Sequence, residues 1–411
     1  MLEELFEDEA TRRRLMNHPL GPWVESYVAT RATLGYARST VRGHLWPLAD
    51  FGRWLGRNAI AVDALNEESV ERYLDERRGR GRCGPNNRTA LYHILEHLRD
   101  QQVIPTVQGA VARSAIESRY EAYLRAERGL TTATVINYCP FIQRLLRERF
   151  GDGPLAVGQL TSADLSRFVL RHAHAMSPGR AKLMVTALRS FVRFLLQHGE
   201  IDTDLAGCVP TVANWRLATV PKYLAPQEVE RLLGACARST PTGRRNYAIL
   251  VVLARLGLRA GEVVALELDD VDWRAGELTV RGKGLLRDRQ PLLAEVGEAM
   301  VSYLRHARPV CSTRRLFVRM RAPYRGFASP AAVTTIVERA LERAGLHPPF
   351  KGAHLLRHSL ATGLLRGGAS LAEIGHILRH RSPNSTEIYA KVDVAGLRSL
   401  ARPWPVAGGG R

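Results

Sequence analysis

The stretch His354-Leu355-Leu356-Arg357-His358 decides how the rest of this 411-residue chain is read. His354 and Arg357 stand three residues apart, so in a helix they share one face. A histidine exchanges a proton near neutral pH, and a guanidinium clamps an anion through fixed donors. His354 and His358 also have the i, i+4 spacing of a metal pair. No Glu follows His354 as in H-E-x-x-H and no third ligand is evident, so neither a metal nor a cofactor is expected.

Downstream lie Leu378-Arg379-His380 and Ser385-Thr386-Glu387-Ile388-Tyr389, with Pro383 breaking the helix between them. A lone Tyr on an amphipathic helix ordinarily packs in a core; Tyr389 matters because of the cations that precede it. Upstream, Gly257-Leu258-Arg259-Ala260-Gly261-Glu262 ends an apolar helix at a Gly. It sets Arg259 at the start of the next helix, with Glu262 three residues on and able to steady it. Arg281-Gly282-Lys283-Gly284 holds one ammonium forward on a Gly-flanked turn. Lys occurs at only five positions, against 54 Arg, so a Lys at such a turn is hard to dismiss as incidental.

The set Arg259, Lys283, His354, Arg357, His380 and Tyr389, in that order, resembles the tyrosine recombinase family, the phage-integrase-like site-specific recombinases. The resemblance to the catalytic domain covers about Tyr223–Leu400, and Ser114–Pro210 resembles the family's helical core-binding domain. It implies a mainly α fold with a small antiparallel β-sheet in the C-terminal domain, preceded by two helical, SAM-like core-binding units. It also implies that Tyr389 attacks a DNA phosphodiester to form a 3′-phosphotyrosyl intermediate, without metal or ATP. Arg259 and Arg357 would hold the non-bridging oxygens. His354 would act as general base, Lys283 would protonate the leaving 5′ oxygen, and His380 would hydrogen-bond the phosphate. Glu262 would support its neighbours. Two positions depart from the family: Arg379 stands where Gly is usual, and Lys391 where His is common.

The implied partners are double-stranded DNA and a homo-tetramer assembled on it, with partner recombinases or DNA-bending proteins as further candidates. Integration, excision or transposition of a mobile element is the expected use. A topoisomerase using the same chemistry, or a DNA-binding relative without activity, are the alternatives.

Composition agrees with a nucleic-acid partner. The net charge is +19 and the isoelectric point near 10.4. With 45% hydrophobic residues, wholesale disorder is excluded. The five cysteines form no C-x-x-C pair, which excludes a zinc ribbon or a thioredoxin-like site. The most apolar run, Tyr247–Leu258, is interrupted by Arg255 and too short to span a bilayer, so no membrane role is expected. Met1–Glu9 is acidic and lacks an apolar signal region, so a cytoplasmic, nucleoid-associated bacterial protein is expected. Residues 1–110 are net neutral, 111–222 carry +6, and 223–411 carry +13. The last two regions are therefore the expected DNA clamp. Arg180, Lys182, Arg281, Arg287 and Arg379 are its expected additional contacts.

Residues 22–105 are expected to form an N-terminal helical unit and 111–210 the core-binding domain. A linker follows at 211–222, then the catalytic domain at 223–402 and a flexible tail at 403–411. The first unit reads as a duplicate of the second. Gly35-Tyr36-Ala37-Arg38-Ser39-Thr40-Val41 resembles Gly129-Leu130-Thr131-Thr132-Ala133-Thr134-Val135, and Leu65–Leu74 resembles Leu160–Val169. Short strands are expected at Val271–Trp273, Glu277–Arg281 and Arg287–Leu293, and a short C-terminal helix at Val394–Leu400.

Overall fold

The computed structural model describes residues 2–79, 87–105, 115–151, 153, 155–213, 220–282, 287–393 and 397–398. Lys283, half of the expected linker, most of the expected Val394–Leu400 helix and the whole tail lie outside the described residues. The chain divides into two compact units. One comprises Met1–Thr106 together with Thr219–Arg411, and the other is Val107–Ala218.

The N-terminal region contains α1 (Glu9–Met16), α2 (Val24–Thr33), α3 (Arg38–Arg57), α4 (Glu67–Gly79) and α5 (Asn87–Asp100). Apolar residues at helical spacing explain them: Val41, Leu45, Leu48, Phe51 and Leu55 of α3 all turn into one core. That core starts earlier than residue 22. Leu2, Phe6 and Leu15 are buried in it, because the polar N-terminal helices keep one apolar edge each.

The Val107–Ala218 unit contains α6 (Ala115–Ala122), α7 (Thr132–Phe150), α8 (Ser162–Ala173) and α9 (Pro178–Gln197) around its own core. Thr131 caps α7, and Thr161 with Asp164 forms a capping box on α8. Its internal plan parallels the N-terminal one: both long helices α3 and α7 carry an interior Pro, Pro47 and Pro140. Gly35 and Gly129 precede those helices at φ +83° and +57°. Gly129 has open space beside it among the described residues. A Cβ on Gly35, by contrast, would lie 2.1 Å from the Tyr324 ring. The Tyr324 N–H donates to the Leu34 carbonyl at 3.0 Å, which ties the N-terminal region to the C-terminal one.

In the C-terminal region α10 (Pro226–Gly234) and α11 (Pro241–Leu256) lead into α12 (Ala260–Ala265). Seven consecutive residues of α11, Ala248 to Ala254, are buried, so this helix is the axis of the core. β1 (Val271–Asp272), β2 (Glu277–Arg281) and β3 (Arg287–Pro291) form an antiparallel sheet in sequence order. The β2–β3 ladder closes at the pair Arg281 and Arg287. Then come α13 (Ala294–His306), α14 (Ala331–Arg343), α15 (His354–Arg366) and α16 (Leu371–Ile377), and last a 3-10 turn at Glu387–Val392. No described helix is long and apolar enough to cross a membrane.

Candidate active site

α11 ends at Gly257, whose φ of +59° reverses the chain in the left-handed region that Gly tolerates best. A Cβ there would meet Leu378 at 2.8 Å and Leu360 at 3.0 Å. This tight turn places two site elements together. The Gly257 carbonyl accepts from Arg357 Nη1, and two residues later Arg259 starts α12.

Arg357 is buried on α15, and its other amino group donates to the Leu378 carbonyl. Burial first, then the neighbouring Arg259, lowers its pKa to about 10. Two backbone carbonyls thus orient a guanidinium that has almost no access to bulk water. Arg259 is different: its side chain stays 40% exposed. Its Nη1 donates to Glu262 Oε1 at 2.7 Å, and its backbone N–H donates to Glu262 Oε2 at 2.8 Å.

Arg379, expected to contact DNA, turns inward instead. Its side chain is only 6% exposed, and Nη2 donates to Glu262 Oε2 at 2.7 Å. Its backbone adopts φ +55°, which explains why a Gly suits this position. Burial would raise the Glu262 carboxyl, but Arg379 and the donors of Arg259 hold it below its ordinary value.

Tyr389 lies on the 3-10 turn after α16 with 1% of its surface exposed. Its hydroxyl is 2.9 Å from His358 Nδ1. Burial raises the phenol pKa to about 12, against the pull of Arg357 and Arg259. His358 itself is lowered to about 4, by burial and then by His354 and Arg357. The i, i+4 spacing from His354, set aside as a metal pair for want of a third ligand, is the sequence signal for His358, and it does not point to the phenol. His354 begins α15 at the exposed side, its ring 6.4 Å from that of His358. Desolvation, then Arg357 and Arg259, lowers its pKa. His380 follows Arg379; its Nδ1 lies 2.7 Å from Thr386 Oγ1, and its ring is parallel to Tyr389 at 6.5 Å. Burial and then Arg357 bring it to about 4. Five of the six expected catalytic residues therefore converge; the sixth, Lys283, lies outside the described residues.

The remaining expected contacts divide. Arg281 is held by Glu267 at 2.7 Å and Asp270 at 2.9 Å, so its charge is spent on folding the sheet rather than left free. Arg287 opposite it is exposed. Arg180 and Lys182 are exposed on the first turns of α9, with Arg180 over the Phe141 ring. β3 is pinned to the segment around Arg379: Gln290 Nε2 donates to the Ile377 carbonyl at 2.8 Å, and Arg381 pairs with Asp288 at 3.2 Å.

A buried tyrosine beside two arginines and three histidines suits the cutting and rejoining of phosphodiesters through a tyrosyl ester. Residues 222–395 match the phage integrase family. An integrase/recombinase of Sinorhizobium fredii, y4rA, is 44% identical over 94% of this chain and 95% of its own length. Tyrosine recombinase XerD of Corynebacterium glutamicum is 31% identical, covering 68% of this chain and 94% of XerD. The chain belongs to the phage integrase family, the tyrosine-type site-specific recombinases. Solved structures share the fold. XerH bound to palindromic difH substrate in a post-cleavage complex superposes with a TM-score of 0.55 at 22% identity, covering 69% of this chain and 83% of that one. A lambda integrase dimer bound to a COC′ core site gives 0.52 at 21%, covering 71% and 97%.

Proposed function

We propose that this recombinase cuts and rejoins duplex DNA at the ends of a mobile element, working as a homo-tetramer in the cytoplasm. The observation that carries the chemistry is the convergence of Arg259, Arg357, His354, His358 and His380 around Tyr389. The basic C-terminal region and the Val107–Ala218 unit, with exposed Arg180 and Lys182 on α9, supply the charge for gripping the duplex. The full-length likeness to y4rA and the DNA-bound state of XerH and lambda integrase support this reading.

In the reaction, the Tyr389 oxygen bonds to phosphorus as the 5′ oxygen leaves, so the ester energy is kept in a 3′-phosphotyrosyl link. The phenol must leave its buried pocket and lose its proton. His358, held neutral, is the acceptor already in contact with it, in place of the His354 expected from the family. His354 then faces the phosphate with Arg259 and Arg357, which offset the added charge of the pentavalent state. His380 hydrogen-bonds a phosphate oxygen. Lys283, between β2 and β3 in the sequence, delivers the proton to the leaving oxygen.

Nicked suicide duplexes tiled from the DNA bordering the gene test this. The full-length chain forms a covalent adduct on one of them and Tyr389→Phe forms none. Failure on every tile, or an adduct that survives Tyr389→Phe, overturns the reading. Relaxation of supercoiled plasmid without joining of two sites would favour a topoisomerase instead.

A further inference from the structure

We infer that Arg379 is a positioning residue for Arg259: by sharing the Glu262 carboxylate, it keeps the Arg259 guanidinium free to meet the scissile phosphate. The inference rests on reading Arg259 as a phosphate clamp.

Three consecutive residues build the back wall of the site. The Leu378 carbonyl takes Arg357, Arg379 takes Glu262, and His380 lies parallel to Tyr389. At the middle position the backbone is left-handed, with φ +55°. Gly adopts that conformation freely, whereas Arg adopts it against steric strain. The Arg also brings a charge into an interior position, and its Nη1 is buried without a hydrogen-bond partner. Each of these features opposes folding, and each would vanish with Gly. Among the described residues, the hydrogen bond that the Arg side chain makes in return is to Glu262.

That contact changes what Glu262 can do. Its Oε1 faces Arg259 Nη1, while Oε2 is taken by Arg379 Nη2 and by the Arg259 backbone N–H. A carboxylate facing a single guanidinium tends to pair with it through two parallel bonds. Arg379 occupies the second oxygen, so Arg259 is gripped through one nitrogen and keeps its other donors for a ligand. The exposures agree: Glu262 and Arg379 are 7% and 6% exposed at their side chains, and Arg259 is 40% exposed. Two guanidiniums on one carboxylate also leave a net positive charge beside the place where phosphate charge develops. Without Arg379, Glu262 would cancel Arg259.

The test is single-turnover cleavage of a nicked suicide duplex by the full-length chain, measured alongside non-covalent DNA affinity. Arg379→Gly suits the backbone, so it folds; a thermal melt checks this. It is expected to bind DNA as the wild type does but to form adduct about 10-fold more slowly or worse. Arg379→Lys, which can still reach Glu262, recovers part of the rate. In a Glu262→Gln background, Arg379→Gly adds little, because both act through the same carboxylate. An Arg379→Gly rate equal to wild type, or an equal slowing with and without Glu262, overturns the inference. A wild-type chain that forms no adduct on any duplex removes the recombinase reading beneath it. A wild-type adduct with an unaffected variant removes the inference alone.

Discussion

His358 Nδ1 and the Tyr389 hydroxyl lie 2.9 Å apart, joining α15 to the turn that carries Tyr389. The bond does two things: it anchors a phenol that is otherwise buried among apolar side chains, and it sets a neutral imidazole beside the phenol proton. His354, one helical turn earlier, is exposed, with its ring 6.4 Å from that of His358. The two histidines are therefore expected to fail differently. His358→Asn should slow adduct formation about 100-fold, the scale of a lost general base. His354→Asn should weaken the step through the phosphate, and added imidazole should not restore it. A larger loss in His354→Asn than in His358→Asn, rescued by imidazole, would return the base role to His354.

Acid should act on this site in a definite order. His358 and His380 each fall from the ordinary histidine value of 6.5 to about 4, mainly through burial. In the unfolded chain both take up protons near 6.5, while the folded chain resists until about 4. Their contribution to stability is therefore complete above 6.5 and is lost as pH falls from there towards 4. Adduct formation, which needs His358 neutral, should hold its rate from about pH 7 to about pH 5, where an ordinary histidine is mostly charged. Melting temperatures should decline over the same interval. A cleavage rate that halves near pH 6.5, with no change in melting temperature, would show that the two rings are solvated.

The clustering of Arg259, His354, Arg357, His380 and Tyr389 was legible because each sits in a short motif whose spacing states its own geometry. Arg259 follows a helix-ending Gly, and His354 and Arg357 share a helix face. What sequence reading lacked were the contacts made by folding back. His358 meets Tyr389 across 31 positions, a distance that no helical period encodes. Arg379 reads as one more surface cation until its positive φ and its inward turn are known. Arg281 likewise looks free, but Glu267 and Asp270 reach it from the turn ahead of β1. The long helices α3, α9 and α14 follow from apolar periodicity that persists along each of them. Leu2, Phe6 and Leu15 were missed because single apolar residues in an acidic segment carry no period.

Gly257 offers a test of how the arginines are set. Its positive φ, with Leu378 and Leu360 where a Cβ would lie, makes any side chain there strained. Gly257→Ala is expected to cost about 1–3 kcal/mol of stability. It also displaces the carbonyl that holds Arg357, so cleavage should fall further than the loss of folded protein explains. Single-turnover rates corrected for folded fraction by circular dichroism measure this. A variant whose rate tracks its folded fraction would show that Arg357 is oriented by the Leu378 carbonyl alone.

The last expectation concerns where the duplex is held. In the N-terminal region many arginines are matched by carboxylates: Arg53 and Arg77 by Asp50, Arg78 and Arg88 by Glu71, Arg99 by Glu67. Such pairs have little left for phosphates. Arg180 and Lys182, exposed on α9, carry no carboxylate partner among the described residues. Changing both to Gln should lower the slope of log affinity against log salt by about 2, one per phosphate contact, and weaken all sequences alike. Reversing the paired set, by Arg53→Gln with Arg77→Gln, should leave the slope unchanged. A slope that responds to Arg53 and Arg77 but not to Arg180 and Lys182 would move the grip to the N-terminal region.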